Sequence, residues 1–437
     1  MGTDSQEGAT PPPESPFRFG RRARWLVFAG SLILFGLMGV WFFLPALMAN
    51  YHLNRAEADL AGNRPREAQA HLTAGLGWVP DHPGLLVVSS RTARMLDNLG
   101  VARALCQRLQ GLQKGPLPEE MGLEMALVRV QSGDTDDLAP GLRRVVDAGA
   151  PESALILEAM SRGLLRTMRL PAAEGMIRLW QARDPGNPRA AYFLGFTAEN
   201  LGARNQAEAA YRESIRLDPG YGPPVMRLAN LLKDRSSPAE AAELYSGLIE
   251  RGYGAVDARA NLGLCLVELD RMDEAKRILA ELQGKADSGE TDSPEVQLLA
   301  VRIDLTEGRP EDALPRLDRI LRRTPGDYLA LFLRHSALRR LGRAEEAQAA
   351  VERLNQTERD NVRLAEIWGR DYSRNPDSPE LLLEIAEIYE RVGEFGESAS
   401  WLAKAAAAAR GAPALEQRVS AVNRRLEARE NPGKAPR

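Results

Sequence analysis

The chain has 437 residues, of which 44% are hydrophobic and 27% charged, and its net charge is -3. That balance excludes a disordered chain and a strongly basic nucleic-acid binder. The length would allow two or three ordinary domains, or one array of repeats, which has no such size limit because each unit packs on its neighbours.

The first segment, MGTDSQEGATPPPESP, is polar and rich in proline, so residues 1–20 are expected to form a disordered cytoplasmic tail. From Trp25 to Tyr51 there is no charged residue, and WLVFAGSLILFGLMGVWFFL is apolar over the roughly 20 residues a membrane-spanning helix needs. Residues 21–49 therefore read as a transmembrane signal-anchor helix, with Trp25 and the Trp41, Phe42, Phe43 group at the two interfaces. Arg18, Arg21, Arg22 and Arg24 precede the span and only Arg55 comes closely after it, which places the N-terminus in the cytoplasm. A cleaved signal peptide ending at Ala49 is the competing reading, and the length of the apolar run favours retention. Scarce lysine with abundant arginine, alanine and glycine suggests a bacterial chain, so the residues beyond the span are expected in the periplasm, as part of an inner-membrane, single-pass protein. After Pro45 the helical pattern continues without a linker, which predicts an anchor nearly continuous with the next helix and a kink at Pro45.

Residues 50–411 repeat with a period of about 34 residues. The first copies are weak: Ala68, Leu72 and Pro80; Ala93, Ala102 and Cys106; Gly133, Leu138 and Leu142. Leu157, Ser161, Leu164, Ala173, Ile177 and Pro185 form a clearer copy, and Arg189 to Pro219 is the best formed. There, Leu194, Gly195 and Ala198 share one face of a first helix, and Ala207, Tyr211 and Ser214 share the facing stripe of a second. Gly202 ends the first helix and Pro219 the second. Later copies run through Leu228, Ala241 and Tyr245, then Leu262, Gly263 and Ala275, then Gly308, Ala313 and Pro325, then Leu331, Gly342 and Ala347, and finally Leu382, Ala386, Tyr389, Gly393 and Leu402. GKADSGETDS lengthens one surface turn, and NVRLAEIWGRDYSRNP reads as an extra helix near residues 359–375. Residues 412–428, with Leu415, Val419, Val422 and Leu426 on one face, suit a capping helix, and residues 429–437 a disordered tail.

The large residue, Leu-Gly, Gly, Ala, aromatic, Ala and closing Pro pattern resembles the tetratricopeptide repeat. The resemblance implies an all-α fold: a right-handed α-solenoid of about ten helix-turn-helix units, here preceded by a single transmembrane helix. It also implies that first helices line a ligand groove. In that register Arg162, Arg166, Tyr192, Phe196, Asn200, Met226, Asn230, Lys233 and Arg302 lie along one track, which continues through Leu264, Phe332, Ser336 and Arg339. Aromatic rings beside Arg and Asn suit a protein or extended peptide partner, since rings bury area while Arg and Asn hold backbone or carboxylate groups. Phe196, Met226 and Leu264 could equally complete packing between first helices.

Chemistry is absent from the sequence by comparison. Cys106 and Cys265 lie several units apart in a stack whose distant units are not expected to touch, so neither a disulfide nor a cysteine metal site is expected, and both read as small core residues. His52 and His71 fall where they could approach each other across the first helix pair, and read as packing or surface residues. No phosphate-binding, acyl-transfer or metallohydrolase motif occurs. The expectation is a membrane-anchored, non-enzymatic scaffold without cofactor or metal, binding a protein partner in the bacterial cell envelope and no nucleic acid. The alternatives are a self-oligomerising structural protein at the membrane and a substrate-docking subunit of an envelope enzyme complex.

Overall fold

Helix starts are fixed residue by residue. The side chains of Asn187, Asp327 and Ser378 accept from the backbone amides of Arg189, Ala330 and Leu381 at 3.0, 2.8 and 3.3 Å, supplying a partner to amides that the helix itself leaves open. Pro65, Pro83, Pro188, Pro238, Pro294, Pro310 and Pro379 each occupy a first turn, where a missing N–H is no loss. The structure, a computed structural model, describes residues 21–113, 115–116, 118–134, 137–235, 237–253, 256–284 and 293–430; of residues 21–37, 39–40 and 429–430 it describes the backbone only. The expected tails, apart from residues 429 and 430, lie outside the described residues.

Every described element is helical, and the helices succeed one another as pairs. They are α1 (Arg21–Ala61) and α2 (Pro65–Trp78), α3 (Pro83–Met95) and α4 (Leu99–Leu112), α5 (Glu119–Gln131) and α6 (Ala139–Asp147), α7 (Ser153–Arg166) and α8 (Leu170–Arg183). Then come α9 (Pro188–Asn200) and α10 (Arg204–Leu217), α11 (Gly222–Asp234) and α12 (Pro238–Glu250), α13 (Val256–Glu268) and α14 (Met272–Gln283), α15 (Pro294–Thr306) and α16 (Pro310–Arg323). The last are α17 (Tyr328–Arg340) and α18 (Ala344–Glu366), the latter running on through a π-helical turn, Ile367–Asp371, into the short α19 (Tyr372–Arg374); α20 (Pro379–Val392) and α21 (Phe395–Ala408); and α22 (Pro413–Glu430). The residues expected as a separate inserted helix near 359–375 are thus the prolongation of α18.

In nine of the ten pairs the chain turns through a described left-handed residue. It is glycine at Gly133, Gly202, Gly308, Gly342 and Gly393 (φ +72° to +101°), but Asn63, Asp97, Met168 and Asp270 hold the same position at φ +55° to +64°. Asn and Asp accept this conformation more readily than other residues with a Cβ.

The chain divides into two units, one ending at Val128 and the other beginning at Arg129. In the first, α1 is a single 41-residue helix with Pro45 inside it. Ala49, Ala56, Ala68, Leu72, Leu85 and Val88 pack α1, α2 and α3 together, and Ala93, Ala102, Cys106 and Val128 pack α3, α4 and α5. Arg94 and Glu124, both fully buried, pair at 3.0 Å between α3 and α5. Among the described residues no helix is long and apolar enough to cross a membrane. Most side chains of the expected 21–49 span fall outside what is described.

The second unit holds three large clusters. One joins α9 to α13 through Ala207, Tyr211, Leu228, Ala241 and Tyr245, and another joins α13 to α18 through Leu299, Leu317, Leu331 and Leu338. The side-chain sizes match the repeat: the Tyr211 ring lies so close over Gly195 that a Cβ there would stand 2.6 Å from it, and the ring is completely buried. The third cluster departs from a nearest-neighbour stack. It joins Leu164, Leu170, Ala173 and Ile177 of α7 and α8 to Trp368, Tyr372, Leu382, Ile385 and Trp401 near the C-terminus, with Val422 and Leu426 of α22. Trp368, Tyr372 and Trp401 meet at ring centroids 5.3 to 5.5 Å apart. The expectation that distant units do not touch is therefore corrected: the prolonged α18 carries Trp368 and Tyr372 back to the start of the unit.

Candidate functional site

The first-helix track begins with a buried ionic group. Glu158 of α7 pairs with Arg162 one turn on, at 3.3 Å, and with Arg189 at the start of α9. These three residues are 3%, 8% and 5% exposed, so the charges are held away from water and depend on one another. Burial pushes the Arg189 guanidinium toward losing its proton, but the neighbouring Glu158 carboxylate outweighs this and holds its pKa above the ordinary value. The Arg162 guanidinium also stands 5.4 Å over the Phe193 ring. Arg166, one turn further, is exposed.

Tyr192 sits at the centre of an aromatic group, with ring centroids 5.1 Å from Phe193, 6.1 Å from Tyr211 and 5.7 Å from Tyr221. Burial pushes the Tyr221 hydroxyl up to about 12, so it stays protonated throughout the physiological range. Arg227 covers the Phe196 ring at 5.1 Å and reaches Glu199 at 3.6 Å. The Asn200 amide donates to the Phe196 carbonyl of its own helix at 2.8 Å. Asn230 accepts from the Tyr245 hydroxyl at 2.5 Å, and Lys233 donates to Asn261 at 2.8 Å. Met226 packs against the core beneath it, Leu264 is buried, and Arg302 pairs with Glu268 at 3.0 Å. From Arg162 to Lys233 most side chains of the track are thus engaged by neighbours beside it, Glu158, Arg227, Tyr245 and Asn261 among them, while Arg166 is exposed.

The open part of the track lies on α17. Tyr328, Phe332, Ser336 and Arg339 succeed one another at three- and four-residue spacing, hence on one face. Tyr328 is 50% and Phe332 48% exposed. Two large rings left half in water on adjacent turns are an unusual expense of apolar surface. Phe332, Ser336 and Arg339 were visible in the repeat register; Tyr328 was not, because it stands directly after the capping Asp327, where the register assigns no groove position.

Reactive chemistry is sparse. Among the described residues no group of three or more His, Cys, Asp or Glu side chains is placed to hold a metal ion. Both cysteines are free and buried. Burial pushes the Cys265 thiol up to about 12 and raises that of Cys106, which leaves little thiolate at neutral pH. Neither thiol is expected to react with maleimide in the folded protein at pH 7.5, while both should react at once in denaturant. Rapid native labelling of Cys265 would show that α13 opens. A cleft of about 370 Å³ lies between α8, α9 and α10, but its charged rim is engaged, Arg178 with Glu174 at 2.6 Å and Glu213 with Arg216 at 2.7 Å.

Residues 226–290 and 298–362 match a tetratricopeptide repeat family, and residues 188–221 match a second tetratricopeptide repeat family. A curated relative, cellulose synthase operon protein C of Pseudomonas fluorescens (strain SBW25), is 25% identical over 209 residues, which cover 46% of this chain and 16% of that protein. The chain thus spans about a sixth of that relative's length. Among solved structures, a tetratricopeptide repeat protein from Parabacteroides merdae ATCC 43184 is 14% identical, with a TM-score of 0.38 over 62% of this chain and 99% of its own. YrrB, described as a tetratricopeptide repeat protein with an unusual peptide-binding site, is 19% identical, with a TM-score of 0.36 over 44% and 96%. Yeast Tom70 is 11% identical, with a TM-score of 0.34 over 89% and 90%. The chain carries tetratricopeptide repeats.

Proposed function

We propose that this chain is a membrane-anchored, non-enzymatic scaffold that holds a protein or extended peptide partner on the first-helix face of its repeats, in the bacterial cell envelope. The observation that carries the reading is the α17 face, where Tyr328 and Phe332 remain half exposed on the same face as Arg339, while most of the rest of the track is engaged by neighbouring side chains. An extended chain laid there would bury both rings, and the guanidinium would take a backbone carbonyl or a carboxylate. Tyr192, Phe196 and Lys233 serve the same surface less directly, by fixing the spacing of α9, α11 and α13.

Anchoring is supported by the middle of α1. Trp41, Phe42 and Phe43 are 81%, 76% and 74% exposed. Three consecutive helical residues point in directions about 100° apart, so no single protein face could cover all three, whereas lipid could. The arginines before the apolar run support a cytoplasmic N-terminus and periplasmic repeats. The relative named for a cellulose synthase operon favours an assembly role beside an envelope polysaccharide machine.

Crosslinked pull-down from membranes tests the reading, comparing the wild type with Tyr328→Ala/Phe332→Ala. Because both rings are half exposed, the variant should keep its melting curve while partner recovery falls about tenfold or more, the loss expected of two anchor rings. Recovery of every partner at the wild-type level by the folded variant removes α17 from the site. Alkaline carbonate washing should leave the chain in the membrane pellet, and its release would remove the anchor.

A further inference from the structure

His52 of α1 and His71 of α2 point the same nitrogen at each other: Nδ1 to Nδ1 is 3.3 Å, with the ring planes tilted by 40°. A hydrogen bond between nitrogens is long at that distance, since N–H donors most often sit 2.9–3.0 Å from their acceptors. Two imidazole nitrogens each about 2.05 Å from one tetrahedral metal ion stand about 3.3 Å apart.

The surroundings fit ligands better than a simple pair. Asp59, itself nearly buried, divides its two oxygens: Oδ1 accepts from Arg64 at 2.7 and 3.2 Å, and Oδ2 faces the other nitrogen of His71, Nε2, at 3.8 Å. Metal-bound histidines commonly turn their second N–H to a carboxylate, which fixes the ring and raises its basicity. Arg64 in turn holds that carboxylate. Gly75, one turn after His71, offers no side chain against His52 and lets it lie on α2. Both histidines are half-buried, so one side of the pair meets solvent, where water can complete the coordination.

We propose that His52 and His71 form a two-histidine site for a borderline divalent transition ion, Zn2+ or Cu2+, with Asp59 as the outer carboxylate. Imidazole suits these ions, and Mg2+ or Ca2+ would require oxygen ligands. Bound there, the ion ties α1 to α2, the two helices of the first pair. This rests on neither the partner nor the groove.

Calorimetric titration of the full chain in nanodiscs with Cu2+ should show one ion per chain, and the electron paramagnetic resonance spectrum should show nitrogen coupling. His52→Gln and His71→Gln should each weaken binding at least tenfold with unchanged helicity, and Asp59→Asn about 10- to 100-fold. His82→Gln should leave binding unchanged. Without any substitution, Zn2+ should protect His52 and His71, but not His82, from diethyl pyrocarbonate. The site is overturned by absence of saturable binding at millimolar metal, by equal modification of all three histidines, or by binding that survives in both histidine variants.

Discussion

Gly163→Ala is expected to destabilise the protein by about 3 kcal/mol or more, because the added methyl group meets backbone. A Cβ on Gly163 would stand 2.1 Å from the carbonyl oxygen of Val130, 3.0 Å from its carbonyl carbon and 3.4 Å from Cα of Gln131. A side chain in the way could swing aside, but a carbonyl at the end of α5 cannot. The Val130 oxygen already accepts from the Gly133 amide at 3.0 Å in the turn that closes α5, so moving it disturbs a second contact. The control is Gly175→Ala on the next helix, where nothing lies within 4 Å of the added atom. There, in the interior of α8, alanine should stabilise by about 0.5–1 kcal/mol through helix propensity. Urea unfolding of the two variants, with hydrogen exchange read over α5 to α8, separates close approach from propensity. Equal effects at the two positions would show that α7 has room to move.

That glycine also marks the limit of what the repeat pattern discloses. Gly195 and Tyr211 were legible as a small residue facing a large one, because the same residue types recur at the same offset. Gly163 takes the same kind of close approach from a backbone carbonyl, which leaves no complementary residue type to read. The weakness of the early copies has a similar cause. Asn63 and Asp97 take the left-handed turn position that glycine marks elsewhere, so the pairs α1–α2 and α3–α4 have the geometry of a repeat without its punctuation. Met168 and Asp270 do the same in the second unit. The meeting of Trp368 and Tyr372 with α7 and α8 was beyond reach for another reason: a periodic pattern specifies contacts one period apart, and this contact joins opposite ends of the unit. Exposure within the groove register is likewise set by neighbours. Tyr192 and Phe332 occupy comparable track positions, but Tyr192 has Phe193, Tyr211 and Tyr221 around it and Phe332 remains half in water.

Glu158→Gln is expected to cost about 3–5 kcal/mol, the range for removing one partner of a buried ion group. The substitution keeps the shape of the side chain and removes only its charge, so cavity formation contributes little. It leaves the guanidinium groups of Arg162 and Arg189 buried without the carboxylate that binds both. The remaining like charges then repel at low dielectric, and neither can be neutralised by losing a proton near neutral pH. Two further measurements distinguish this account from loss of a hydrogen bond. Raising salt should change the cost little, since ions do not screen a group this deeply buried. The triple variant Glu158→Leu/Arg162→Met/Arg189→Met should recover most of the lost stability, because apolar groups of similar volume often replace a buried ion group without penalty. A cost below about 1 kcal/mol for Glu158→Gln would place the pair among solvated surface bridges. A large cost that the triple variant recovers would separate two roles along the first-helix track: Glu158, Arg162 and Arg189 hold α7 against α9, and the rings of α17 are left to meet a partner.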